Sequence, residues 1–453
     1  MSSAAPHPRA AGAPDDDGDR GSLRAALAGL TTRGRSFLAA GVAAAVCAFV
    51  LGQTDLLRVG LLIAVLPLVC VVVLHRTRHR VAAGRRLSPQ RVETATEARV
   101  HLRMDNVSRL PTGLLMLQDH VPYMLGPRPR FVLDRVEPGG RREVSYRVRS
   151  DLRGRFPLGP LQLRLTDPFG MCELTRSFSA YDTLIVVPRT EPLPAVTLTG
   201  GSSGYGEGQQ RALALAGDDD IIPRAYRHGD DLRRVHWRST ARYGELMVRR
   251  EEQPQRARCT VLLDTRETGY EGGGPDSAWE WAVSGAASVL THMLERGYAV
   301  RLLTDTGSTV PGEGAEGFAG GGHDTAEAAG LLMDTLAVVD HSEGAGLSRA
   351  SDVLRGGHEG LLVAFLGDLD EEQAALVARM RHRGGGAVAF LLDSGTWLTG
   401  GAVAGAVDDR LRVLREAGWQ AFAVRPGARL GELWQHAGGA GAQPAADTYG
   451  GWS

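Results

Sequence analysis

The chain has 453 residues, with 51 basic against 52 acidic side chains and a formal net charge of −1. That length allows about two to three domains with ample core, and the charge balance leaves no basic field for bulk nucleic-acid binding. Every basic residue is arginine, and the four cysteines, Cys47, Cys70, Cys172 and Cys259, form no Cys-x-x-Cys pair. This excludes a zinc knuckle or a dithiol redox site and fits a reducing compartment.

Residues 1–35 are rich in Ala, Pro, Gly and Asp and lack apolar periodicity, which predicts a disordered N-terminus on the cytoplasmic side. Residues 36–75 hold two apolar runs, 37–52 and 56–74, split by Gln53-Thr54-Asp55. Each run is near the lower limit for a bilayer span, and together they predict a transmembrane helical hairpin. The alternative is a helical hairpin buried in a soluble core. A cleaved signal peptide is excluded by the second run, which follows at once. Arg24, Arg33 and Arg35 precede the hairpin, and Arg76, Arg78, Arg80, Arg85 and Arg86 follow it, whereas its turn carries only Asp55 and Arg58. Positive residues stay cytoplasmic, so a multi-pass plasma-membrane protein is expected, with both ends of the hairpin and the bulk of the chain inside.

Residues 88–190 alternate apolar and polar side chains with period two, as in Ala98-Arg-Val-His-Leu-Arg-Met104 and Leu161-Gln-Leu-Arg-Leu165. With turns at Pro138-Gly139-Gly140 and Asp167-Pro168-Phe169-Gly170, the pattern predicts an antiparallel β-sandwich with no catalytic constellation. Residues 191–220 are Gly-, Ser- and Pro-rich and read as a flexible linker. Gly204, Gly206 and Gly208 lack the Lys-Ser or Lys-Thr of a phosphate loop.

Residues 221–253 contain eight arginines within Ile-Ile-Pro-Arg-Ala-Tyr-Arg-His-Gly-Asp-Asp-Leu-Arg-Arg-Val-His-Trp-Arg-Ser-Thr-Ala-Arg-Tyr-Gly-Glu-Leu-Met-Val-Arg-Arg-Glu-Glu-Gln. His228-Gly229-Asp230-Asp231 reads as a turn into a helix, with Asp230 as its cap and Gly244 as its stop. Arg234, Arg238 and Arg242 recur every fourth residue and share a helix face. Two readings stand for this row: a solvated face paired with nearby acids, or a docking row for an acidic partner, which the planar guanidinium suits. Trp237 beside it is either a core anchor, the favoured reading, or an interface anchor.

Residues 254–438 alternate strands and helices: strands at 259–263, 299–304, 361–366, 387–392 and 420–424, helices at 279–296, 325–338, 371–383, 408–417 and 430–436. This predicts a doubly wound parallel sheet, whose ligands sit at the carboxyl ends of the strands, where Asp264, Asp305 and Asp368 fall. The Gly-rich insert 307–322 reads as a mobile loop near those ends, and 439–453 as a flexible tail.

The 221–253 block resembles the signature of a bacterial family known as domain of unknown function 58. The elements Arg153-Gly-Arg-Phe-Pro-Leu-Gly-Pro160 and Asp167-Pro-Phe-Gly170 are similar to others of that family. The resemblance implies a von Willebrand factor A-like fold for 254–438. That fold holds a metal with Asp-x-Ser-x-Ser, and here Asp264-Thr-Arg-Glu-Thr268 keeps the first and last ligand types, with Asp368 as the distal carboxylate. Arg266 stands where a serine should be, and a guanidinium has no lone pair to offer. The set is degenerate, and neither a bound metal nor any other cofactor is expected. The resemblance further implies a non-enzymatic, membrane-anchored scaffold working as an adaptor for a MoxR-type AAA+ ATPase and other membrane proteins. The competing reading is a metal-dependent hydrolase using Asp264 and Asp368.

Overall fold

The computed structural model describes residues 29–78, 81–107, 111–112, 114–167, 169–196, 198, 223–226, 237–249, 257–312, 317–319, 325–356, 360–381, 385–398 and 406–439. The chain divides into two units, Met1–Val187 and Pro188–Ser453.

The first unit opens with helices α1 (Thr32–Leu51) and α2 (Thr54–Arg78). Thr31 caps α1 by accepting from the Gly34 amide, and Gly52, at φ 66°, ends it in the left-handed conformation that glycine adopts without strain. The helices cross on small residues. A methyl on Gly41 would lie 2.5 Å from the Ala64 nitrogen, and one on Gly60 would lie 2.7 Å from that of Ala45. Such close backbone approach is how helices pack where lipid surrounds them. Both helices are long and apolar enough to cross a membrane, and only 17% and 22% of their most apolar windows are buried. Phe49, Val50 and Leu62 are 85%, 76% and 70% exposed, unlike side chains of a hairpin enclosed in a soluble core.

The strand-rich part holds β1 (Val81–Ser88), β2 (Arg91–Glu93), β3 (Glu97–Asn106), β4 (Leu114–Asp119), β5 (Arg130–Leu133), β6 (Arg141–Arg149), β7 (Gly154–Leu158), β8 (Leu161–Thr166), β9 (Glu173–Phe178) and β10 (Asp182–Val187). They form three small sheets, ordered β1-β3-β6, β2-β10-β7 and β5-β4-β8-β9. All pairings are antiparallel except β10 with β2. The period-two residues face inward as expected: Ala98, Val100, Leu102 and Met104, and Leu161, Leu163 and Leu165, are all buried.

Two predicted boundaries move. The strand-rich region begins at Val81 rather than 88, because β1 pairs with β3 along its whole length. Order begins before Thr32, because Leu30 bridges Cys172 and the Thr31 amide donates to the Met171 carbonyl at 2.9 Å. Leu30, Cys70, Val71 and Leu74 share one apolar core with the strands, so hairpin and strands are packed together. Arg85, counted in the sequence as a flanking charge, lies instead inside this unit. Its Nε donates to Asp119 at 2.9 Å and its Nη1 to the Leu158 carbonyl at 2.7 Å, while the Tyr146 hydroxyl donates to Asp119 at 2.6 Å.

The second unit holds a short hairpin, β11 (Pro223–Ala225) and β12 (Met247–Arg249), around helix α3 (Trp237–Tyr243). Its main body contains β13 (Arg258–Leu263), α4 (Ala278–Glu295), β14 (Ala299–Thr304), β15 (Thr309–Val310), α5 (Thr325–Val338), α6 (Ser348–Arg355), β16 (Leu361–Leu366), α7 (Glu371–Ala378), β17 (Ala387–Leu392), α8 (Ala406–Glu416), β18 (Gln420–Val424) and α9 (Leu430–Gly439). The sheet is ordered β15-β14-β13-β16-β17-β18, parallel except for edge strand β15. Successive side chains of its central strands alternate between two cores, Val363 and Phe365 facing one and Leu362 and Ala364 the other. Helices α4, α5 and α9 cover the first face and α6, α7 and α8 the second.

Here too the expected boundaries shift. The start of the predicted linker is an arm packed on α4: Ser284 donates to the Arg189 carbonyl at 2.5 Å, the Glu191 amide donates to Ser288 at 2.9 Å, and Leu193 and Leu198 join the core. The Gly-rich insert is pinned at its described residues, with Ala319 bridging Val300 and Phe318 beneath the guanidinium groups of Arg258 and Arg301 at 5.2 and 4.7 Å.

Candidate functional site

The carboxyl ends of the sheet strands gather the buried polar side chains of the second unit. β13 ends in the apolar run 261–263, and the chain then turns through Asp264-Thr265-Arg266 into the short 3-10 turn Glu267–Gly269. Asp264, Thr265, Arg266 and Asp305 are 0%, 3%, 2% and 1% exposed. Arg266 grips Asp264 with both prongs, Nε to Oδ1 at 2.9 Å and Nη2 to Oδ2 at 2.6 Å. The Arg266 and Gly367 amides donate to the same carboxylate, each at 3.2 Å. Nη2 also reaches the Asp368 carbonyl at 3.2 Å. Gly367 has no room for a side chain, since a methyl there would lie 2.2 Å from the Gly269 carbonyl oxygen. Burial pushes the Asp264 carboxyl up, against the pull of Arg266. Burial opposes the Arg266 charge, yet the bonded Asp264 carboxylate holds the guanidinium above its ordinary value.

The neighbouring carboxylates are engaged as well. Asp305 accepts from the Thr265 amide at 2.9 Å, from the Thr265 hydroxyl, and from Ser342 at 2.6 Å. Asp368 accepts from the Ser394 hydroxyl, and burial raises its carboxyl against that bond. Tyr270 donates to the Asp264 carbonyl at 2.8 Å. Above it, Trp279 and His341 rings lie 4.5 Å apart.

The members of the predicted metal set each have other surroundings. Asp264 is filled by Arg266, Asp368 is bonded to Ser394, and Thr268 is exposed on the 3-10 turn. Among the described residues no group of three or more His, Cys, Asp or Glu side chains is placed to hold a metal. Sequence reasoning missed Thr265, Ser342 and Ser394. The last two lie far from Asp264 in sequence, and serines in loops carry no signal until the topology brings them to the strand ends.

The second candidate is the signature hairpin. His228, Gly229, Asp230, Asp231 and Arg234 lie outside the described residues. Of the rest, Gly244 stops α3 as expected, with φ 72° and its amide donating to the Thr240 carbonyl at 3.0 Å. Arg238 and Arg242 are exposed. Trp237 corrects the favoured core reading: it is 71% exposed, beside Tyr243 at 64% and Leu246 at 41%. The large rings of α3 are turned outward.

Residues 223–381 match the model of the family described as Protein of unknown function DUF58, which supports membership of that family. The match starts at the signature hairpin and runs to the end of α7 and its following turn. No curated protein matches the chain. Among solved structures, the CARDB domain of a Pyrococcus furiosus protein in complex with di-metal ions is 10% identical and covers 23% of this chain and 84% of its own, at a TM-score of 0.18. The Bacillus subtilis sporulation control protein Spo0M is 12% identical over 24% of this chain and 49% of its own, at 0.16. The Pseudomonas fluorescens alkylpurine DNA glycosylase AlkC bound to DNA is 10% identical over 29% and 38%, at 0.17. Likenesses this slight carry no weight on fold or function.

Proposed function

We propose that this chain is a non-enzymatic, membrane-anchored scaffold that docks an acidic surface of a MoxR-type AAA+ ATPase through its signature hairpin, on the cytoplasmic side of the plasma membrane. The carrying observation is the exposure of Trp237 and Tyr243 next to Arg238 and Arg242 on one short helix. An aromatic anchor flanked by arginines is the composition of interface hot spots. Arginine adds bidentate recognition of carboxylates. A von Willebrand factor A-like reading of the second unit is supported by the sheet order and its antiparallel edge strand. The hydrolase alternative gains nothing from the strand ends, where each carboxylate already has protein donors.

The test is binding of a purified MoxR-type ATPase from the same genome to the full chain in detergent. Changing Arg234, Arg238 and Arg242 to Gln should abolish capture while leaving the melting temperature nearly unchanged, since exposed pairs contribute about 0 to 1 kcal/mol each. Unaltered binding by a folded triple variant would remove the docking row from the proposal.

A further inference from the structure

A doubly wound sheet with carboxylates at its strand ends is a natural place for a divalent cation. The residues here do not fit one. A metal between Asp264 and the β16 end would need the Asp264 oxygens, and both point into the Arg266 fork. It would also meet a positive charge that is 2% exposed and bonded to Asp264.

We infer that Arg266 is a tethered cation, whose guanidinium takes the place of a metal ion between Asp264 and the Asp368 carbonyl and makes this crossing of loops independent of divalent ions. The geometry has the features of a coordination centre built from hydrogen bonds. One cationic group ties the end of β13, through Asp264, to the end of β16, through the Asp368 carbonyl. The Gly367 amide closes the same carboxylate from the β16 side. The third loop, after α5, joins the end of β13 through backbone: the Glu267 amide donates to the Ser342 carbonyl at 3.1 Å and the Ser342 amide to the Thr265 carbonyl at 2.6 Å. An ion held by solvent exchange would be lost to a chelator, whereas a side-chain cation is not. A closed strand end also has no open coordination position with which to capture a partner's carboxylate.

The inference rests on the Asp264–Arg266 geometry and not on the docking proposal. Its test is thermal unfolding of the intact chain in detergent micelles, with EDTA, Mg²⁺ or Mn²⁺. Wild type should melt at one temperature in all three, and calorimetric titration with Mn²⁺ should show no site. Arg266→Ala should melt markedly lower, and guanidinium ion at non-denaturing concentration should restore part of the loss. The pair Asp264→Asn with Arg266→Met, which removes both charges, should fold and should respond to neither guanidinium nor Mn²⁺. If Arg266→Ala does not fold, the wild-type titration and the double variant decide the matter. A Mn²⁺-dependent rise in wild-type melting that Asp264→Asn abolishes would overturn the inference. So would an Arg266→Ala protein that melts like wild type.

Discussion

At the scale of single residues, the strand ends of the second unit bury polar groups, whereas its signature helix exposes Trp237 and Tyr243. Breaking the Asp264–Arg266 pair by Arg266→Ala leaves a carboxylate without its partner at 0% exposure, and the loss of one partner of such a pair costs about 3 to 5 kcal/mol. Denaturant unfolding measures this directly. Trp237→Ala should do the opposite of what a core tryptophan does. With the ring 71% exposed, stability should stay within about 0.5 kcal/mol of wild type, and a collapse of the fold would mean that the ring is packed after all. His292 adds a pH dependence. It lies 6.0 Å from the Trp434 ring with a buried, unbonded Nε2, and burial depresses its pKa below the ordinary 6.5. The unfolded chain therefore takes up a proton near 6.5 that the folded chain refuses. Stability is fully present above that value and is lost as pH falls through the folded-state value. His292→Gln should flatten this limb of the stability curve; an unchanged slope would show that other groups carry it. Of the residues in the strand-end cluster, the sequence displayed Asp264, Arg266, Asp305 and Asp368, because strand ends are legible from apolar runs. It did not display Ser342 or Ser394, whose partners are set by topology alone.

At the scale of elements, continuous apolar runs and long helices were legible, whereas a short helix with few buried residues and a strand rich in arginine were not. The strands at 361–366, 387–392 and 420–424 and the helix at 325–338 lie where the apolar runs place them. Helix α6 went unread because it has eight residues, of which only Ala350, Ser351 and Leu354 are buried, too few to establish a period. Strand β1 was hidden by its arginines: Gly84-Arg85-Arg86 looks like a flanking charge cluster, yet Arg85 points inward to Asp119. The helix pair supplies the element-scale prediction. Gly41 and Gly60 each face the backbone of the opposite helix at less than 3 Å from where a methyl would sit. Backbone cannot yield as a side-chain tip can. Gly41→Leu or Gly60→Leu should therefore push α1 and α2 apart and lower the melting temperature in detergent, whereas Val46→Leu, on a side chain 58% exposed, should not. Equal behaviour of the three variants would mean that the crossing does not hold the hairpin.

At the scale of the whole molecule, charge and packing both bear on where the chain can be cut and which way it faces. A fragment from Pro188 keeps the arm of Leu193, Val196 and Leu198 on α4, and should fold without the helices. A fragment starting at residue 221 or 254, the boundaries that composition marks, strips this arm from a core that includes Trp434 and Leu290, and should be less stable by urea unfolding. The last prediction concerns membrane topology. Arg33 and Arg35 open α1, and arginines continue beyond the end of α2. At the connecting turn, Arg58 is the one basic residue, and Asp55 pairs with it at 3.2 Å, cancelling its charge. The turn is thus the end with least net positive charge, and the rule that cationic flanks stay in the cytoplasm predicts that it faces outward. Arg85 no longer counts among the flanking charges, since it is spent inside the strands, but Arg76, Arg78, Arg80 and Arg86 still outnumber the single neutralised Arg58. An alkaline phosphatase fusion after Gln53 should then be active, and one following Ser88 inactive. The reverse pattern would place the strands and the α/β unit outside the cell, and a cytoplasmic ATPase could not be the partner.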